Sequence, residues 1–361
     1  MSDEQKLLNI RDQIDQIDEQ ILSLVNARAK AAETVAKIKL ANDPNAFFYR
    51  PERESQVIRG VQSKNQGPLS NQSVGFLFRE IMSMCLALEQ PMTIGFLGPQ
   101  GTFSQEAALK FFGHAAKTTP LSSIKDVFHH VEAGDCTYGT VPVENSTEGM
   151  ITHTLDLFLH SDLKICGEVS LRIHQNLMSK QADFKKITTV YSHQQSLAQC
   201  RNWLSQHLSH AQQVAVVSNA EAAKLAQKDH YTAAIAGEIA AEIYQLDLIA
   251  KKIEDEMGNT TRFLIIGKQA ASASGLDKTS LLLSTQNIAG GLYHLLQPFA
   301  ENKISMTKIE SRPSKREKWD YVFFVDIEGH IEDKQIKKAL KILQSNGGLI
   351  KICGSYPQAV I

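Results

Sequence analysis

The chain has 361 residues, of which 43% are hydrophobic and 21% charged, and its formal net charge is −1. This length predicts two or three domains, and the balanced charge argues against a broad nucleic-acid-binding surface. No apolar run approaches the roughly 20 residues of a membrane span, and the acidic start MSDEQKLLNI is unlike a secretory signal. The five cysteines show no C-x-x-C spacing, so neither a metal site nor a disulfide framework is predicted. We expect a cytoplasmic protein that binds neither nucleic acid nor membranes.

The first segment, residues 1–91, has the periodicity of α-helices. Apolar residues recur every three or four positions; they are Ile10, Ile14, Ile17, Ile21, Leu24, Ala31, Val35 and Ile38. One helix from about residue 4 to 40 would be about 55 Å long, too long for the core of so small a domain. We therefore expect it to pack against a second copy of the chain. Two shorter helices are predicted, one after Pro51 and one over 73–90.

The second segment, residues 93–268, alternates short apolar strands with helices. This alternation predicts an α/β domain with a largely parallel sheet, whose functional residues lie at the carboxyl ends of the strands. The turn GPQGTFS lacks the G-x-G-x-x-G spacing, so a dinucleotide site is not predicted. Its residues Thr102 and Gln105 match a helix capping box.

The third segment, residues 279–356, follows a polar linker, KQAASASGLDK. Its elements are predicted in the order βαββαβ, which is typical of a ferredoxin-like α+β domain.

Two cations interrupt the apolar stripe of the first helix. Arg28 follows Leu24 by one turn, and Lys39 lies about 20° from Arg28 around the helix. Because an unpaired buried arginine costs several kcal/mol, an anionic ligand is predicted here; a solvated arginine that snorkels to water is the alternative. Arg11 lies about 26 Å from Arg28 along the axis. Both can contact one small metabolite only if Arg11 comes from a partner chain.

The stretch NTTRFLIIG places two hydroxyls and a charge at the start of a buried strand. Threonine is β-branched and suits strands in any case, so TTRF alone does not separate a site from ordinary strand chemistry. The neighbouring motifs decide the question.

Seven motifs, in order along the whole chain, resemble those of the bifunctional chorismate mutase–prephenate dehydratases. The first segment resembles the all-helical mutase, an intertwined dimer, in its stripe cations, in YRPERE and in MSMCLALEQ. The second carries GPQGTFS, VPVENS, YSHQQ and NTTRF, and resembles the two-lobed, periplasmic-binding-protein-like dehydratase. The third carries ESRP, and GGLY where the family has GALV, and resembles an ACT regulatory domain.

The resemblance implies that the helical domain rearranges chorismate to prephenate without a metal or cofactor. Such an enzyme must hold a dicarboxylate and stabilise the charge that grows on the ether oxygen. Lys39 and a protonated Glu89 are expected at that oxygen, while Glu54 is expected to accept from the substrate hydroxyl. The residues assigned to this site are Arg11, Arg28, Lys39, Arg50, Glu54, Cys85 and Glu89.

The second domain is expected to remove CO2 and hydroxide from prephenate, which gives phenylpyruvate. Expulsion of hydroxide needs a donor to the leaving oxygen, and Thr261 takes that role by resemblance. Asn145, Ser192 and Gln199 are expected to orient the carboxylates and the hydroxyl.

The role of Arg262 is open, since it could bind a substrate carboxylate or pair with Glu144. His193 is predicted to be a structural hydrogen-bonding residue.

The C-terminal domain is expected to bind L-phenylalanine as an inhibitor at a dimer interface. The residues assigned to this site are Gly290, Gly291, Leu292, Glu310, Ser311, Arg312 and Pro313. A homodimer or larger homo-oligomer is expected. Two rival interpretations remain: a non-catalytic amino-acid sensor, and a dehydratase whose helices only dimerise. Thr261 and the stripe cations favour the bifunctional enzyme.

Overall fold

The computed structural model describes residues 2–43, 46–285, 288–313, 321–345 and 349–360. Its N-terminal domain consists of α1 (Asp3–Asn42), α2 (Pro51–Lys64) and α3 (Asn71–Glu89). The predicted uninterrupted first helix is confirmed, and at about 1.5 Å per residue it is about 60 Å long. No helix among these residues is long and apolar enough to span a bilayer.

The long helix α1 leaves its apolar stripe uncovered within one chain. Ile10, Ile17 and Ile21 are each 53% exposed, and Leu24 is 70% exposed. Among the α1 side chains that the structure describes, only that of Ala36 is buried within the chain itself. A surface this apolar is typical of an interface with another protein.

The middle domain has two lobes, and its chain crosses from the first lobe to the second and back. In chain order its elements are β1 (Thr93–Leu97), α4 (Phe103–Phe112), β2 (Lys117–Leu121), α5 (Ile124–Ala133), β3 (Tyr138–Asn145), β4 (Gly149–Met150), α6 (Thr152–Phe158), β5 (Lys164–Arg172), β6 (Asn176–Ser179), β7 (Thr189–His193), α7 (Gln194–Gln199), α8 (Arg201–His207), β8 (Gln212–Val216), α9 (Asn219–Ala226), β9 (Thr232–Ala236), α10 (Glu238–Tyr244), β10 (Asp247–Ala250) and β11 (Thr260–Gly267).

Each lobe is built on one mixed sheet. The two-lobed architecture implied by the resemblance is confirmed, but the sheets are less parallel than the alternation of strands and helices predicted. The first sheet has the order β2-β1-β3-β11-β5, with β4 paired to β3, and the second has the order β10-β6-β9-β7-β8. Strands β1, β2 and β3 run parallel, whereas β11 is antiparallel to both of its neighbours. In the second sheet, β6 runs antiparallel to both of its neighbours, β9 and β10.

Local sequence signals set the ends of the helices in this domain. Ser123 accepts a hydrogen bond from Asp126 N at the start of α5, and Gly134 ends that helix in the left-handed conformation. Helix α4 begins after Thr102 as predicted, but the capping box does not form. Thr102 instead donates to the Leu97 carbonyl, and Gln105 accepts from Gly101 N.

The C-terminal domain confirms the predicted βαββαβ order. Its elements are β12 (Asp277–Thr285), α11 (Gly291–Glu301), β13 (Met306–Pro313), β14 (Tyr321–Glu328), α12 (Lys334–Ser345) and β15 (Leu349–Pro357). They form an antiparallel sheet of order β13-β14-β12-β15.

The two faces of this sheet have different partners. One face packs on α11 and α12, while side chains such as Leu282, Phe324 and Tyr356 on the other face share a hydrophobic core with the first lobe. The preceding linker is also partly buried, since Ser274 is 8% exposed and accepts from Arg59 of α2. All three domains are therefore in direct contact.

Candidate active sites

A cleft of about 880 Å³ separates the two lobes of the middle domain. It is lined by the carboxyl ends of β3 and β7, by the start of β11, and by the first residues of α4, α7 and α9. Sites at the ends of parallel strands were predicted, and the parallel-paired strands β1, β2, β3 and β7 end here.

The pair Asn145 and Thr261 occupies the first-lobe wall of the cleft. The two residues lie opposite each other on β3 and β11. Asn145 Nδ2 donates to Thr261 Oγ1 over 2.8 Å and to Asn259 Oδ1 over 2.9 Å. Asn145 Oδ1 accepts from Thr147 N at 3.0 Å and Glu148 N at 3.2 Å, which fixes the orientation of the amide. Because Thr261 Oγ1 accepts from Asn145, its own proton is available to a ligand in the cleft.

The second-lobe wall is organised by Asn219, which sequence reasoning missed. Its Oδ1 accepts from His193 N at 3.0 Å and from Ser196 Oγ at 3.1 Å. Ser192, predicted to bind substrate, is fully buried and does not line the cleft. Its hydroxyl lies 2.7 Å from the Ile235 carbonyl and 3.0 Å from Asn219 Oδ1, so it supports Asn219 from behind.

Gln199 and His193 lie at the cleft surface. Gln199 Oε1 accepts from Gln175 Nε2 over 3.1 Å, which leaves the Gln199 amide hydrogens for a ligand. The predicted structural role of His193 is confirmed, because its Nδ1 accepts from Gln195 N at the start of α7. The same side chain also lines the cleft.

Few full charges reach this cleft. Among the residues that the structure describes, the ionisable side chains in its lining are Glu148 and His193. Backbone N–H groups of helix starts are the alternative way to bind an anion. Helices α4 and α9 both begin in the lining, at Thr102 to Ser104 and at Ser218 to Asn219.

Arg262 points away from the cleft, where a substrate carboxylate was one of its two alternatives, and its side chain forms no ion pair with Glu144, which was the other. Successive strand residues face opposite sides of a sheet, and Arg262 follows the cleft-facing Thr261. Its guanidinium pairs with Glu168 at 2.8 Å and Asp326 at 2.7 Å, and donates to Tyr356 Oη at 3.0 Å. Burial lowers the pKa of Arg262, but Tyr356, Asp326 and Glu168 raise it by a larger amount, so the net shift is upward.

A second group of predicted residues meets between α1 and α3. Burial raises the pKa of Glu89, while the charges of Lys39 and Arg28 act in the opposite direction. Lys39 Nζ donates to the Phe48 carbonyl at 3.3 Å. Cys85 is buried one turn before Glu89 on α3.

Three other residues predicted for this site lie elsewhere within one chain. Arg11 is exposed on α1, about 26 Å along the helix from the group. Arg50 is also exposed and lies 3.6 Å from Glu52. Glu54 does not fit the predicted role of hydroxyl acceptor, because it accepts from Arg79 at 3.1 Å in a space next to the middle domain. Burial raises the pKa of Glu54 and Arg79 lowers it, with a net upward shift.

Comparison with known proteins assigns the chain. Three family models match in order: Chorismate mutase type II over residues 10–90, Prephenate dehydratase over residues 94–271 and ACT domain over residues 279–344. A bifunctional chorismate mutase/prephenate dehydratase from Stutzerimonas stutzeri is 50% identical over 365 residues, with 100% of both chains covered. The chain belongs to this family.

Other members agree with the assignment. The bifunctional enzyme from Pseudomonas aeruginosa is 49% identical, again with 100% of both chains covered. A crystal structure of the Arthrobacter aurescens prephenate dehydratase in complex with L-Phe matches with a TM-score of 0.67 and 31% identity. The match covers 73% of the present chain and 89% of the Arthrobacter aurescens chain.

In the ACT domain, the predicted effector residues divide between two faces. Gly290 takes the left-handed conformation before α11, and Leu292 is 42% exposed. On β13, Glu310 and Arg312 face the dehydratase domain, where Arg312 Nη2 pairs with Asp156 Oδ1 at 3.2 Å. The predicted effector residues that are exposed are Gly290, Leu292, Ser311 and Pro313, while Gly291 is buried.

The dehydratase cleft contains three polar residues that sequence reasoning missed. Asn259 opens the quoted NTTRF motif and could have been included with it. Asn219 follows β8, where the strand-end rule points. Gln175 had no signal, because it lies between β5 and β6 where the chain crosses between lobes.

Proposed function

We propose that the chain converts chorismate to prephenate between α1 and α3, and prephenate to phenylpyruvate in the cleft between the lobes. L-Phenylalanine bound by the ACT domain inhibits the second reaction. The observation that carries the dehydratase assignment is the 2.8 Å contact from Asn145 to Thr261, which leaves the hydroxyl proton of Thr261 for a leaving group.

In the dehydratase step, Thr261 donates to the departing hydroxyl of prephenate. The electron pair of the breaking bond to CO2 moves into the ring, the carbon–oxygen bond breaks, and hydroxide leaves as water after it takes a proton. Aromatisation drives the reaction, so the enzyme mainly assists the leaving group. The starts of α4 and α9 and the Gln199 amide bind the two carboxylates.

In the mutase step, Arg28 binds one carboxylate while Lys39 and protonated Glu89 contact the ether oxygen. No bond to the protein forms, so positioning and electrostatic stabilisation supply the catalysis. Arg11 of the partner subunit binds the second carboxylate by a bidentate contact. The exposed apolar stripe of α1 supports this shared arrangement, because it needs a second copy of the chain to cover it.

The partners that we assign are therefore the substrates, the effector and a second copy of the chain. We place the protein in the cytoplasm, which agrees with five free, buried cysteines.

One assay separates the three candidate functions. Purified chain is supplied with chorismate in one reaction and with prephenate in another, and both chorismate and phenylpyruvate are followed. The bifunctional enzyme consumes the first and produces the second. A dehydratase with a purely structural helical domain would act only on added prephenate, and a sensor would act on neither.

A further inference from the structure

The dehydratase active site and the ACT domain contact opposite faces of the same two strands. Thr261 lies opposite Asn145 on β11 and β3, and both side chains line the cleft. The next rung of this ladder pairs Arg262 with Glu144. Because side chains alternate between faces, that rung lies directly behind the catalytic pair.

The ACT sheet presents a matching rung to this surface. Lys308 of β13 and Asp326 of β14 are register partners. Lys308 pairs with Glu144, and Arg262 Nη1 lies 2.7 Å from Asp326 Oδ2. We call Glu144, Arg262, Lys308 and Asp326 the charge quartet.

The charge quartet is electrically balanced, and three of its four side chains are largely buried. The side chains of Arg262, Asp326 and Lys308 are 14%, 11% and 17% exposed, while Glu144 is 39% exposed. Two positive and two negative charges face each other, and Lys278 with Glu168 adds a further balanced pair at 2.7 Å. Loss of Lys308 would leave Glu144 without this partner next to Asn145, and loss of Asp326 would leave the buried Arg262 with one partner fewer.

We propose that Lys308 and Asp326 are positioning residues for the dehydratase reaction, and that the charge quartet transmits occupancy of the ACT domain to Thr261 and Asn145. This inference rests on the proposed function. Neither ACT residue touches the cleft, so each acts through its partner one position from the catalytic pair. A displacement of β13 would move Glu144, and a displacement of β14 would move Arg262.

Removal of the ACT domain cannot test this connection, because its sheet closes the core of the first lobe. The test uses single substitutions in the full chain. Lys308→Met removes one charge from the quartet. Lys351→Met is the matched control, because Lys351 also joins the ACT domain to the dehydratase domain, through the Ser161 carbonyl at 2.7 Å, but away from the catalytic strands.

We expect Lys308→Met to lower the dehydratase kcat about 10-fold, the size of effect that packed networks transmit. Its KM for prephenate and its mutase activity should stay near wild type. Lys351→Met should retain the dehydratase kcat. Addition of Glu144→Gln to Lys308→Met should recover activity, because it removes the stranded charge. An equal fall in kcat in Lys308→Met and Lys351→Met would overturn the proposal. It would also be overturned if the kcat of the Lys308→Met, Glu144→Gln double variant fell by the product of the two single losses.

Inhibition supplies the second readout. L-Phenylalanine should still raise the melting temperature of Lys308→Met, since binding to the ACT domain is retained, yet it should inhibit the dehydratase less completely than in wild type. Full inhibition of that variant would contradict transmission through the quartet. A wild-type chain that makes no phenylpyruvate would overturn both the proposed function and this inference. If the wild type is active and substitutions in the charge quartet change neither the dehydratase kcat nor the inhibition by L-phenylalanine, this inference alone is overturned.

Discussion

Replacement of Thr261 by valine removes one hydroxyl from the dehydratase cleft and leaves the shape of the side chain almost unchanged. Thr261 is 8% exposed, and its oxygen accepts from Asn145 at 2.8 Å. In the valine variant one Asn145 amide hydrogen loses its partner, which costs about 1–3 kcal/mol of folding stability. The other hydrogen keeps its bond to Asn259.

The catalytic loss should be larger than the loss of stability. A positioned proton donor contributes roughly 100- to 10,000-fold, which corresponds to about 3–5 kcal/mol of activation free energy at 1.36 kcal/mol per tenfold. The dehydratase kcat should fall by that factor, while KM changes little because other groups bind the carboxylates. Thr261→Ser retains the hydroxyl and should stay within about tenfold of wild type.

Phenylpyruvate formation from added prephenate is the assay, with mutase turnover on the same preparation as the control for folding. If Thr261→Val retains more than about a tenth of the wild-type kcat, Thr261 is not the donor to the leaving hydroxyl. If both activities fall together, the substitution has damaged the fold and Thr261→Ser becomes the deciding variant.

Three further predictions concern the other charged groups. Arg11→Ala and Arg28→Ala are each expected to lose mutase activity, and heterodimers formed by refolding them together should regain it; inactive heterodimers would exclude a shared site. Mutase activity should fall as pH rises through the raised pKa of Glu89, and Glu89→Gln should flatten that profile; a flat wild-type profile from about pH 5 to 9 would remove the proton-dependent role. Burial, with Glu238 also nearby, raises the pKa of Glu106 to about 7. Because the folded state favours its protonated form, stability should decline by up to about 3 kcal/mol as pH rises from about 4.5 to 7. Urea unfolding at several pH values should show a smaller decline in Glu106→Gln.

The helical domain was predictable because its signal is local. An unbroken apolar period without Gly or Pro predicts one long helix, and the structure leaves the apolar stripe of that helix exposed within one chain. Strand direction in the middle domain was not predictable in the same way. The chain passes from β5 to β6 and from β10 to β11 without an intervening α-helix, and these crossings between lobes create the antiparallel strands.

The site residues divide in the same way, between those marked by a local sequence signal and those placed by tertiary packing. The motif containing Thr261 marks the cleft correctly, and the alternation of a strand then turns Arg262 to the opposite face. Its partner Asp326 belongs to another domain, so only the tertiary structure could identify it. Glu54 was assigned to the mutase site by its place in a motif, but packing of α2 against α3 pairs it with Arg79.

The central claim is that one chain carries two separate sites. It is tested most directly with two purified variants that are supplied with chorismate. Lys39→Ala should leave chorismate unchanged yet convert added prephenate normally. Thr261→Val should consume chorismate and accumulate prephenate. A mixture of the two should produce phenylpyruvate from chorismate, because prephenate can pass between molecules. Phenylpyruvate formation by Thr261→Val alone, or loss of both reactions in either folded variant, would contradict two separate sites.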